Sequence, residues 1–476
     1  MGGTVCRGFG ARQVKGRTST GIGALMGQAD RQGAGRRAQR SVLACLAVLA
    51  LPGCLAQGDG GASVSRMLMP EVAEVPQGLS SGAVAEASPV MVDLMARRSA
   101  LPEGAALDRV ADAVLVADTR AAAAALRSAR LRERAQAHNW LPSISPQASL
   151  SSLGSVVAML VVEQVLFDNG RKKAERDFAK ADVEVAAVAL VRDANDRVLT
   201  ALRLYLAARE AQDKALLSQS AGRDMEHFAW IMSERVKGGI SDSSDLQVLQ
   251  QKLAEINASA QSEAEAARAA MAELVAMGVA PALLAELSGL SGTEAALALP
   301  APAPVPLSVR LAEAEQARAE ARARVERAGF LPGLTATGVI GRDAPDPSVG
   351  LSTTRPLGFG TGDDLRAIEA ATEGERRKVA QSREEAQRRL TRLAQEQAAL
   401  QRQAAEAAVL TSRAKANLDL FQAQYDAGQR QVMDVVGLYE QFARQQHSAA
   451  GLRYRAVLAG LEMAAELGLL ADGDRL

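Results

Sequence analysis

Residues able to do chemistry are few in this chain and lie far apart. The three histidines, His138, His227 and His447, share no spacing that could hold a metal ion, so each reads as a surface residue. The segment Gly358-Phe359-Gly360-Thr361-Gly362 is glycine-rich in the manner of a phosphate loop, but it lacks the Lys-Ser/Thr that such a loop needs. It reads instead as a breaker between two elements. No nucleophile stands beside a base in a known pattern. The sequence therefore predicts no enzyme, no cofactor and no metal site, and its function must lie in shape.

Composition narrows the shape. The chain of 476 residues is 48% apolar but only 3% aromatic. The apolar part comes largely from Ala, Leu and Val, which suits closely packed helices and argues against a disulfide scaffold, a disordered chain or an aromatic-rich porin. Basic and acidic residues balance at 55 each, yet residues 1–40 hold eight basic and one acidic, which leaves 47 against 54 in the remainder. A nucleic-acid binder would carry its positive excess in the folded part, so none is expected.

The basic start belongs to a leader. Arg36, Arg37 and Arg40 precede the uncharged run from Ser41 to Gly53, which is too short to span a bilayer and matches a secretory signal. Met26 as the start would give a leader of ordinary length. The run ends Leu51-Pro52-Gly53-Cys54, which resembles the lipobox of bacterial lipoproteins, although Pro52 stands where a small or branched residue is usual. That resemblance implies acylation of Cys54 as the mature first residue; a plain signal peptide with an incidental Cys54 is the alternative. Cys6 and Cys45 precede Cys54, so a chain cut there has no internal disulfide. Residues 54–85 read as a loose tether. No later segment has 18 consecutive apolar residues, so a membrane crossing would need strands.

Proline punctuates the rest. None occurs between Pro146 and Pro281 or after Pro356, and both stretches are dense in strong helix formers. Over Asp168–Lys237 apolar residues fall at three-four spacing (Val188, Val191, Val198, Leu199, Leu202, Tyr205, Leu206), and over Asp242–Met277 the seam is Leu246, Leu249, Leu253, Ile256, Ala260, Ala267 and Leu274. Such heptads specify coiled-coil packing, and helices of about 60–70 residues run about 100 Å. No compact globule accommodates them. Charge runs such as Arg376–Arg392 read as solvated or lumen-lining helix faces.

Two pieces differ in kind. Pro142–Ser152 alternates, with Ile144, Pro146, Ala148 and Leu150 on one side and Ser or Gln on the other; Ser155–Phe167 is apolar on both faces and matches less well. After Pro332, Leu334, Ala336, Gly338 and Ile340 face one way, and beyond the turn 342–347, Val349 and Leu351 alternate with Ser and Gly. About 9–11 residues is the length of a tilted membrane strand. The alternative is a soluble hairpin capping a bundle.

The same order is written twice. Leu141-Pro142 recurs as Leu331-Pro332, Gly170 as Gly362, and Gly239 with Asp245 as Gly428 with Asp434, all at offsets of 189 to 192. The domains expected are a leader (1–53), the tether (54–85), a first repeat (86–280) with hairpin 142–167 and tip turn 238–243, a Pro-rich linker (281–306), a second repeat (307–470) with hairpin 333–358 and tip turn 427–431, and a tail (471–476). Trp140, Phe167, Phe330 and Phe359 stand at the helix-to-strand junctions, where a headgroup-level aromatic belt would need them. Four strands cannot close a barrel, so strands in a membrane require several chains.

In this order and repetition, Leu141-Pro142, Gln164–Arg171, Gly239–Leu246 and Tyr425–Val435 resemble the TolC family of outer-membrane channel proteins, over about residues 90–470. The resemblance implies a mainly α fold with a small transmembrane β part. Three chains would build a twelve-stranded β-barrel in the outer membrane above a periplasmic α-barrel of duplicated coiled-coil hairpins. It implies a homotrimer, lipid-anchored at Cys54, that exports substrates with a periplasmic adaptor and an inner-membrane pump, in efflux or type I secretion. Leu55 lacks the Asp that favours inner-membrane retention. Matching the family's closed tip, Ser244, Asp245, Tyr425 and Arg430 would form a gate, Asp434 an acidic ring with Gly437 where a second would be, and Gly238, Gly239 and Gly428 the turns that meet a partner. Helix capping remains the alternative role for Ser244 and Asp245, and packing for Tyr425. A periplasmic coiled-coil rod or an adaptor without a pore is the competing function.

Overall fold

The computed structural model describes residues 88–117, 121–150, 156–287, 297, 299–340 and 346–475. The expected leader, Cys54, the whole of the tether and the tips of both hairpins lie outside the described residues. Four helices dominate: α4 (Arg171–Lys237), α5 (Ser243–Ala276), α8 (Thr361–Asp426) and α9 (Val432–Glu466). Among the described residues five shorter ones accompany them: α1 (Pro89–Ala96), α2 (Ala106–Val116), α3 (Ala121–Ala137), α6 (Pro281–Glu286) and α7 (Leu307–Ala328). The strands are β1 (Ser143–Leu150), β2 (Val156–Phe167), β3 (Gly333–Ile340) and β4 (Asp346–Ser352). The chain is mainly α with one small antiparallel sheet.

At 67 and 66 residues, α4 and α8 are each about 100 Å long. They run the length of the helical array, and shorter helices fill the gaps between and beside them. Toward the sheet the lateral order is α3–α4–α7–α8; away from it the order is α5–α4–α9–α8. Position in this array explains the burial patterns. Central α4 buries residues on several faces, among them Val188, Val198, Tyr205 and Met225. Outer α5 and α8 each bury one narrow seam. In α5 that seam is Leu249, Ala260, Ala267 and Leu274, with steps of 11, 7 and 7. Steps of seven drive left-handed supercoiling and steps of eleven oppose it, so mixing them keeps a long helix nearly straight.

Between α7 and its neighbours, ion pairs flank a buried seam of small apolar residues that includes Ala312, Ala314 and Ala321. Arg383, Lys378 and Arg376 of α8 meet Glu313, Glu315 and Glu320 of α7, while Arg318 and Arg324 reach Asp182 and Asp177 of α4. Part of the charged run 376–392 therefore cross-links helices and is not simply a solvated face. A cluster of apolar side chains ties α2 to the middle of α4 and the end of α9, through Leu107, Val110, Leu202, Tyr205 and Leu461. The C-terminal segment beyond α9 joins it: Leu467, Leu469 and Leu470 are buried, and Ala100 N–H donates to the Leu469 carbonyl at 2.8 Å.

The sheet has order β1–β2–β3–β4. Its register aligns Ile144 with Val162 and Gly338, and Pro146 with Leu160 and Ile340. Leu334 pairs with Leu351 and Ala336 with Val349 on that same face. The opposite face carries Ser143, Ser145, Gln147, Glu163, Thr335, Thr337, Ser348 and Ser352. In β1, β3 and β4 one side is thus apolar and the other polar, whereas β2 is apolar on both, as its sequence reads: Met159, Val161 and Val165 share the face of Glu163, and Gln164 lies on the other. β4 stops at Ser352, short of the expected hairpin end at 358. Pro356 has no N–H for a ladder, and the Arg355 N–H has already turned to the Gly329 carbonyl at 2.9 Å.

Candidate functional site

The candidate site is the end of the helical array away from the sheet, where two hairpin turns lie over one core. Both turns are built alike. Gly239 (φ 71°) follows α4, and the Ile240 N–H reaches the Arg235 carbonyl at 2.8 Å; Gly428 (φ 74°) follows α8, and the Gln429 N–H reaches the Gln424 carbonyl at 2.8 Å. This six-to-one closure needs a left-handed residue, which is why glycine recurs there. Gly278 and Gly468, 190 residues apart, end α5 and α9 in the same manner, with φ of 101° and 68°. They are further repeat landmarks, legible as glycines just past periodic runs but masked by the weaker patterning around them.

Helix α5 is capped by Asp242, whose carboxylate accepts the Ser244 N–H at 3.2 Å. That hydrogen bond from Ser244 is the main reason the Asp242 carboxyl titrates below its usual range. Ser244 and Asp245 are consequently not the cap; they sit in the first turn, and the Asp245 carboxylate makes no hydrogen bond among the described residues. At the matching place in α9, Gln431 caps and Asp434 returns the bond, accepting the Gln431 N–H at 3.4 Å.

Tyr425 is partly buried against a core of Met225, Phe228, Met232, Val432, Val435 and Tyr439. Arg430 is exposed. Its guanidinium lies over the Phe421 ring at 4.4 Å and its Nε donates to Gln424 at 3.0 Å. Within one chain Arg430 therefore rests on its own helix and touches neither Asp245 nor Asp434. Its terminal amino groups make no hydrogen bond among the described residues, so they remain available to a neighbour.

Polar rungs that the sequence did not reveal join α4 to α9 above the tip. The Tyr439 hydroxyl donates to Asp224, Ser218 Oγ lies 3.1 Å from His447 Nε2, and the Tyr454 hydroxyl donates to Asp213 at 2.7 Å. His447 is half-buried here and is not the surface residue expected. Burial, then the nearby Lys214, pushes its pKa below the ordinary value, with Glu263 opposing. The unfolded chain then binds a proton that the folded seam resists, so stability should fall as pH drops through about 6.5. Thermal melts at pH 7.5 and 5.5 should show a smaller acid-induced loss for His447→Gln than for the parent; an equal loss would remove His447 as the cause.

At the sheet end, Trp140, Phe167 and Phe359 are exposed, whereas Phe330 is only 6% exposed. Phe330 packs with Ala323 and Ile368 beneath the Arg355 guanidinium, 5.2 Å from its ring centre. It faces inward because α7 ends against α8 at that point. Asn169 and Gly170, both at positive φ, turn β2 into α4, and the Asn169 amide donates to the Pro332 carbonyl at 2.9 Å. That bond ties the two repeats together at the junction.

No protein-family model and no curated protein sequence matches this chain. Solved structures do. The outer membrane protein VceC from Vibrio cholerae aligns with a TM-score of 0.65 at 15% identity, covering 76% of this chain and 96% of its own. The CmeC outer membrane channel of Campylobacter jejuni gives 0.64 at 10% identity over 87% and 94%. The MtrE outer membrane channel of Neisseria gonorrhoeae, in its open state, gives 0.64 at 17% over 82% and 95%. This chain has the fold of those outer-membrane channels, which is the fold that its resemblance to the TolC family implies.

Proposed function

We propose that three copies of this chain form a channel through the outer membrane, the exit duct of a tripartite efflux pump or a type I secretion system. One observation carries this reading: both layers of the molecule are open at both sides. Among the described residues the sheet ends in unpaired β1 and β4, and the helical array ends in α5 and α8, each buried along one seam only. Unpaired strand edges cannot face lipid, since each free N–H and C=O there costs several kcal/mol. A neighbouring chain offering β4 to β1 satisfies them, and three chains of four strands close a twelve-stranded barrel. The apolar face then meets lipid, the polar face lines the lumen, and exposed Trp140, Phe167 and Phe359 stand at headgroup level. Acylated Cys54 would anchor each chain to the same membrane.

In that assembly Ser244, Asp245, Tyr425, Arg430 and Asp434 converge at the far end and hold it closed. The turns at Gly238, Gly239 and Gly428 present that end to an adaptor bound to an inner-membrane pump. The channel then conducts what the pump delivers and does no chemistry itself. Detergent-extracted protein should have the mass of three chains, crosslink to trimers and conduct ions in planar bilayers. A salt-extracted, water-soluble monomer would mean a periplasmic rod instead.

A further inference from the structure

The strands hold two charged residues, Glu163 within β2 and Asp346 at the start of β4, and register puts both on one face. Glu163 is the one inside a strand. Register places it on the polar face, opposite Ser143 of β1 and Thr337 of β3, and Thr337 is in turn opposite Ser348 of β4. A carboxylate thus sits in a row of hydroxyls crossing all four strands. It is exposed, and no cation pairs with it among the described residues. A charge on the lipid face would be expelled, but on the polar face it keeps its water and its charge.

Resting on the trimeric channel proposed above, we infer that Glu163 contributes a ring of three carboxylates to the lumen of the β-barrel and makes that part of the pore select cations. The dimensions decide whether such a ring matters. Twelve strands about 4.8 Å apart, tilted by about 40°, enclose a barrel with a backbone diameter of about 24 Å. Inward side chains narrow it further, so the carboxylates lie about 7 Å from the axis. The Debye length is about 10 Å at 0.1 M salt and about 3 Å at 1 M. The ring therefore acts across the whole lumen in dilute salt and is screened out in concentrated salt. Asp434 would act in series at the far end, so the two must be separated by mutation.

The test uses the full chain in planar bilayers, with K+ over Cl− permeability taken from reversal potentials in a KCl gradient, in parent and Asp434→Asn backgrounds. Glu163→Gln, which preserves shape, should lower the ratio by about two- to fourfold near 0.1 M and leave it unchanged near 1 M. Glu163→Lys should lower it further. Channels of normal conductance whose selectivity is the same with Glu, Gln and Lys at 163 would overturn the ring and leave the channel standing. Failure of the parent chain to form any channel would overturn both.

Discussion

Exchanging Tyr425 and Arg430 together for alanine should raise single-channel conductance in planar bilayers, by shifting the closed-to-open ratio of the tip about a hundredfold. Weak links add over a ring of three subunits. Arg430 stacks on Phe421 and bonds Gln424, which holds its guanidinium at the turn without using its terminal amino groups. In a trimer those groups would reach carboxylates such as Asp245 on the next helix pair. One such exposed link is worth about 0–1 kcal/mol, too little to close a pore alone. Three subunits losing about 1 kcal/mol each lose about 3 kcal/mol together, and each 1.4 kcal/mol is tenfold. Tyr425 adds packing against Val432 and Val435, so the double variant should exceed Arg430→Ala alone. Conductance equal to that of the parent in both variants would show that the closed tip is held by other groups.

The second large effect concerns stability. Replacing Arg97 by alanine should destabilise the chain by about 3 kcal/mol, read as a lower denaturation midpoint in detergent. Arg97 follows α1 and is 3% exposed. It donates to the Leu467 carbonyl at 2.6 Å, the Val305 carbonyl at 2.8 Å and Asp93 at 2.9 Å. One guanidinium therefore joins α1, the linker before α7 and the chain just past α9. Burial raises the pKa of Asp93, but hydrogen bonds and charge from Arg97, with help from Arg310, outweigh it and hold the carboxyl below its usual range. Removing Arg97 strands two carbonyls and leaves the part-buried Asp93 carboxylate with Arg310 alone, 3.1 Å away. Arg310→Ala should cost less, since Arg97 still faces Asp93. A shift for Arg97→Ala no larger than for a typical surface substitution, about 0.5 kcal/mol, would refute the role.

Much of this architecture was legible in the residues. The four long helices follow from periodic apolar runs uninterrupted by proline, because a seam of that length has no other economical conformation. β1, β3 and β4 follow from alternation, β2 only from a Val-rich run of strand length, and the tip turns from glycine, which adopts positive φ without strain. These signals are local. Each is written within the segment it specifies.

What remained hidden depends on segments that meet from far apart. Phe330 reads as one more junction aromatic, yet the end of α7 lies against α8 and buries it. His447 looks isolated until α9 packs on α4 and places Ser218, 229 residues away, at hydrogen-bond distance. Arg97 and the C-terminal segment carry no periodicity, so nothing local marks them as buried. Glu163 is an ordinary glutamate in an apolar run until pairing with β1 and β3 assigns it to the polar face. Sequence alone determined which elements form, since backbone propensity and periodicity act over neighbouring residues. Tertiary structure decided which side chains are desolvated, paired or left facing a lumen, because that requires knowing which distant surface arrives opposite each one.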